Sequence, residues 1–123
     1  MSVKLAKKEY VDSKIKDMKR YNARVSNTSN QYVHVIVRFE TMFYDKGVFY
    51  IFANANGYPY VGIVTYNKTS ATLKTVYSVN DVNISLSYVT KESNYIRIVL
   101  KCPTYSVINI QGVDYLETAV APS

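Results

Sequence analysis

The sequence predicts an all-β domain, an antiparallel β-sandwich with a jelly-roll-like strand count, preceded by a short N-terminal α-helix. Three observations carry that expectation. From Tyr32 onward, Val33, Val35, Val37 and Phe39 alternate with His34, Ile36, Arg38 and Glu40, the period of a strand. Similar short runs recur at near-even spacing, separated by turn residues. Before Tyr32 the apolar spacing is that of a helix. The expected division is a helical segment over 1–25, a polar linker over 26–31 and a head over 32–123.

Residues 3–25 lack Gly and Pro and are rich in good helix formers, with Ser2 placed to cap the start. Val11, Ile15, Met18, Asn22 and Val25 are spaced 4, 3, 4 and 3, an a/d seam with Asn22 at one a-type position. The seam is short, so such a helix needs a partner surface. Residues 1–25 hold eight Lys or Arg against three acids, a net +5, whereas residues 26–123 hold seven against six, a net +1. A nucleic-acid reading would therefore rest on the first segment alone. The acids Glu9, Asp12 and Asp17 are interleaved with the bases there, which suits a solvated helix face better than a nucleic-acid arm.

Eight strands are expected in the head. After the Tyr32 strand, Asp45-Lys46-Gly47 turns the chain into Val48–Ala53, a run apolar enough to be buried on both faces. Asn56-Gly57 is a hairpin signal leading into Tyr58–Tyr66, with Pro59 at the strand start. Thr72–Val79, Val82–Val89, Tyr95–Cys102, Tyr105–Ile110 and Val113–Ala119 complete the set, with Asn80-Asp81 and Gln111-Gly112 among the breaks.

The residues exclude much chemistry. With one Cys and one His, no zinc set is expected, and no Gly-rich phosphate loop fits a chain with four Gly. No cofactor is expected, and no catalytic residue is assigned. His34 reads as a strand-face side chain and Cys102 as a small core residue. Asp45, Asp81, Glu92 and Asp114 stand singly in turns or near strand ends, where acids usually serve the turn. No signal peptide and no membrane-inserting run is visible. What remains is binding. Asn54, Asn56, Tyr58 and Tyr60 join amides that donate and accept to rings that stack on sugar faces, and they form the candidate receptor site.

The stretch Leu5-Ala6-Lys7-Lys8-Glu9-Tyr10-Val11-Asp12-Ser13-Lys14-Ile15 resembles a phrase of tailed-bacteriophage fibre and baseplate proteins. There an Ala-Thr-Lys-x-Tyr-Val-Asp-x-Lys segment opens a short helix or trimeric coiled coil. Ala6, Lys8, Tyr10, Val11, Asp12 and Lys14 match, and Lys7 departs where Thr is usual. The resemblance covers eleven of 123 residues. It implies a virion protein made in the host cytoplasm, a homotrimer bundled through Val11, Ile15, Met18, Asn22 and Val25, and a fibre head. That head would bind a host cell-surface glycan or protein without catalysis. The alternatives are a structural virion component (capsid fibre, decoration or baseplate protein) contacting other virion proteins, and a nucleic-acid-binding protein using the basic helix. Under the fibre-head expectation, Ile15→Asp lowers the solution mass from three chains to one while the β signal in circular dichroism stays unchanged. An unaltered mass by light scattering would remove the helix as the assembly seam.

Overall fold

The computed structural model of the chain describes residues 22–27 and 32–122. Among these residues nine strands follow one another: β1 (Asn22–Asn27), β2 (Tyr32–Arg38), β3 (Lys46–Ala55), β4 (Tyr58–Asn67), β5 (Ala71–Ser78), β6 (Ser85–Lys91), β7 (Tyr95–Lys101), β8 (Ser106–Gly112) and β9 (Glu117–Ala121). A 3-10 turn, Phe39–Thr41, follows β2. All pairings are antiparallel. They build a five-stranded sheet in the order β1-β8-β3-β4-β5 and a four-stranded sheet in the order β6-β7-β2-β9.

Period-two alternation makes the inner faces. Val33, Val35 and Val37 of β2 and Ile96, Ile98 and Leu100 of β7 are fully buried, with Val35 opposite Ile98. Phe49 and Ile51 of β3, Val64 and Tyr66 of β4, and Ile108 and Ile110 of β8 join them in one hydrophobic cluster. A core drawn from both sheets is the arrangement of a sandwich. Burial of each such side chain stabilises the fold by about 2 kcal/mol.

The structure departs from the sequence expectation in three places. Residues 22–25, expected as the last turn of the helix, are extended and pair with β8, Asn22 opposite Gln111 and Val25 opposite Ile108. A helical seam therefore does not run through Asn22 and Val25. Ser26 and Asn27, expected in the linker, belong to the same strand. The other expected seam residues, Val11, Ile15 and Met18, lie outside the described residues. The second departure is at the last two strands: Gln111 and Gly112, expected as a break, belong to β8, and the strand expected from Val113 begins at Glu117. The chain changes sheet at five of its eight connections, while β3, β4 and β5 stay in one sheet as a meander. The cause is local: Asn56 and Gly57 both have positive φ, 53° and 88°, as a two-residue type I′ turn requires, so β4 returns directly alongside β3. Third, β3 is buried on one face only. Tyr50 and Phe52 are 43% and 44% exposed.

β5 forms one edge of the five-stranded sheet. Its register against β4 shifts between Val61 and Gly62: Val61 faces Tyr77 and Gly62 faces Thr75, so Val76 is passed over. This is a bulge.

Asp114 is the buried acid of the head. It is 1% exposed and lies between β8 and β9. The Tyr66 hydroxyl donates to its Oδ2, and the Phe43 backbone N–H donates to its Oδ1 at 2.9 Å. Burial, then the hydrogen bond to Asp114, raises the Tyr66 hydroxyl well above its ordinary pKa, so it stays protonated and donating. Gly47 makes room for the pair: a Cβ there would collide with Asp114 Oδ2 and the Tyr66 hydroxyl. Asp114→Ala is expected to lower unfolding stability by about 3 kcal/mol, because it leaves Tyr66 and Phe43 without an acceptor. Gly47→Ala is expected to cost about 2 kcal/mol through overpacking. Urea unfolding checks both, and wild-type midpoints would show that the carboxylate is dispensable.

Candidate functional site

Strand parity decides which residues of the β3–β4 hairpin can meet a ligand. Asn54, Asn56 and Tyr58 are exposed. Asn54 Oδ1 accepts the Gly57 N–H at 2.8 Å, which holds the side chain against the turn. The Asn56 N–H donates to the Tyr105 carbonyl at 3.2 Å, bracing the hairpin tip on the loop before β8. Tyr60, expected in the same site, is core instead at 1% exposure. Its hydroxyl shares a hydrogen bond with Thr75 at 2.8 Å and approaches the Ile84 carbonyl at 3.4 Å. It faces inward with Gly62, Val64 and Tyr66, the even positions of β4. The Tyr60 ring is therefore not on the surface with Asn54, Asn56 and Tyr58.

The residues that accompany Asn54 come from the outer face of the five-stranded sheet. The register arranges them in three rows. Asn54 stands between Pro59 and Val107, Phe52 between Val61 and Asn109, and Tyr50 between Ile63 and Gln111. The Tyr50 and Phe52 ring centroids are 6.2 Å apart, tilted by 50°. Phe52, Asn54, Pro59, Val61, Val107 and Asn109 line a shallow depression of about 510 Å³. The face thus sets two adjacent rings beside a column of amides from β8. Asn109 and Gln111 are exposed. Strands β1, β3, β4, β5 and β8 contain no Asp or Glu, so no paired carboxylates stand on this sheet.

The other single candidates take structural places. His34 is buried on β2, its Nδ1 2.9 Å from Arg97 Nη1. Since a guanidinium only donates, that ring nitrogen is the acceptor. Cys102 is buried, and burial pushes its thiol up to about 12. Asp45 pairs with Lys68 at 3.3 Å. Among the described residues no group of three or more His, Cys, Asp or Glu could hold a metal ion, and no helix is long and apolar enough to cross a membrane.

No protein-family model matches the chain, and no curated protein matches it. Among solved structures, the tailspike protein of Acinetobacter phage vB_ApiP_P1 aligns over 82% of this chain at 14% identity, with a TM-score of 0.42. The chain spans only 23% of that tailspike's length. A likeness of this degree assigns neither activity nor ligand.

The two hairpin tyrosines should separate in a stability assay. Tyr60→Ala is expected to cost about 4 kcal/mol, as for a large buried ring, while Tyr58→Ala stays within about 0.5 kcal/mol of wild type. Equal losses in chemical denaturation would contradict the assignment of Tyr60 to the core.

Proposed function

We propose that this chain is a non-enzymatic receptor-binding head of a virion appendage, and that the outer face of its five-stranded sheet is the contact surface. The observation that carries the reading is the pairing of exposed rings with amides on a sheet free of acids. A pyranose offers C–H groups on one face and hydroxyls around its rim. Tyr50 and Phe52 suit the first, and Asn54, Asn109 and Gln111 suit the second. A neutral cell-surface saccharide is accordingly the ligand class. Hydrolysis is not part of the proposal, because glycoside cleavage uses two carboxylates across the scissile bond and this sheet supplies none. Nucleic acid fits poorly, since residues 26–123 carry only +1.

The virion setting rests on the fibre-like phrase over residues 5–15. Presentation as a homotrimer belongs to the same proposal, and it would raise avidity without one tight site. Light scattering on the full chain and on a chain starting at Asn22, which keeps β1 whole, checks it. Three chains falling to one on removal of residues 1–21 is the expected result.

The face itself is tested by substitution. Tyr50→Ala, Phe52→Ala and Asn109→Ala are each expected to weaken binding to host cells or to extracted surface glycan by roughly tenfold, or about 1.4 kcal/mol. Thermal stability should be nearly unchanged, because these side chains are exposed. If all three bind as wild type does, the contact surface lies elsewhere. If the wild-type chain instead captures purified virion proteins and no glycan, the structural reading takes its place.

A further inference from the structure

One end of the sandwich gathers the left-handed backbone of the described residues. Asn56 and Gly57 in the β3–β4 turn, Asn80 and Asp81 between β5 and β6, and Tyr105 between β7 and β8 all have positive φ. The register brings these three connections to the same end. Ala55 stands opposite both Tyr58 and Ser106, Tyr60 opposite Ser78, and Ser85 opposite Lys101. Four of the five residues are Gly, Asn or Asp, the types that enter this region most readily. Tyr105 is the exception. At φ 56° its Cβ crowds the neighbouring carbonyl, so a bulky residue there is strained.

Little in the fold offsets that strain. The Tyr105 side chain is 64% exposed, and among the described residues its hydroxyl takes no hydrogen bond and its ring no aromatic or cationic neighbour. What the fold uses at this position is backbone. The Tyr105 carbonyl accepts the Asn56 N–H at 3.2 Å, and one residue on, Ser106 Oγ donates to the Pro103 carbonyl at 2.8 Å. Gly or Asn at 105 would keep both bonds and relieve the strain. Strained residues that persist in this way cluster at ligand-binding sites.

The position adjoins the outer face. Val107 and Asn109, which line its depression, follow Tyr105 at two-residue spacing, and Asn54 stands opposite Val107. Asn109, beside Phe52, lies four residues from Tyr105, about 12 Å along an extended strand. A ligand that touches both is longer than a single sugar.

We infer that Tyr105 is a contact residue for an oligosaccharide, its ring held outward by the left-handed backbone to stack on a sugar beyond the one at Tyr50 and Phe52. The inference rests on the receptor reading above, and it carries the contact surface from the outer face onto the end of the sandwich. A ring already fixed in place loses less freedom on contact.

The test uses the full chain with Tyr105→Gly and Tyr105→Asn, and Phe52→Ala beside them. Thermal unfolding is compared with capture by a panel of immobilised neutral bacterial surface polysaccharides. Both Tyr105 variants are expected to unfold about 3 °C higher than wild type and to bind roughly tenfold more weakly. A gain in stability joined to a loss of binding separates a contact residue from a structural one. Lower midpoints in both variants would show that the ring supports the fold, and would overturn the inference. Wild-type binding by both, with Phe52→Ala weakened, would overturn it and leave the receptor reading standing. If Phe52→Ala also binds as wild type does, or no member of the panel captures the wild-type chain, the receptor reading falls and this inference with it.

Discussion

One buried carboxylate holds the two sheets in their relation. The chain passes from one sheet to the other at five connections, among them those from β2 to β3 and from β8 to β9. Asp114 sits in the β8–β9 crossing and accepts the backbone N–H of Phe43 in the β2–β3 crossing. Its other oxygen takes the Tyr66 hydroxyl, which anchors both crossings to β4. A buried carboxylate is tolerated only when its lone pairs are used, and here the donors come from two distant parts of the chain. The sandwich end is therefore closed by polar geometry rather than by apolar packing alone, and Gly47 is the residue whose missing side chain permits it.

That closure has a bearing on the outer face. β3 begins at Gly47's neighbour and runs directly into Tyr50 and Phe52, so the position of the exposed rings is set by the same end that Asp114 fastens. At the far end the Asn56-Gly57 turn sets the register of β4, which places Pro59, Val61 and Ile63 beside those rings. The face is thus built on strands whose two ends are both constrained. Side chains on such a platform have a backbone already fixed, which leaves little further ordering to any contact they make.

Much of this was legible from the residues alone. The eight strands of the head follow the alternation and, Gln111-Gly112 inside β8 excepted, the turn dipeptides, because Asn-Gly and Asn-Asp tolerate positive φ and few other pairs do; Asn80 and Asp81 indeed have φ of 52° and 58°. Tyr60 was legible too, since it shares parity with Val64 and Tyr66, but the apparent loop chemistry of Asn-Gly-Tyr-Pro-Tyr obscured it. Two features were not accessible. Val48, Tyr50 and Phe52 are as apolar as Phe49, Ile51 and Ala53, so β3 shows no alternation, and which face meets water depends on sheet position. Asn22–Val25 continues a helical spacing without a breaker, and only pairing with β8, some eighty residues later, makes it a strand. Long-range partners override local propensity there.

The bulge in β5 bears on how such heads behave when crowded. An edge strand offers unpaired N–H and C=O groups to any passing chain, and β5 also exposes Val76 and Tyr77 at 55% each. A regular strand of that character would invite edge-to-edge growth into fibrils. Skipping Val76 breaks the hydrogen-bond spacing that an incoming strand must match, and Lys74 adds a charge that two like edges would have to bring together. Copies held side by side at high local concentration can thereby keep an apolar surface open to water and still remain separate molecules.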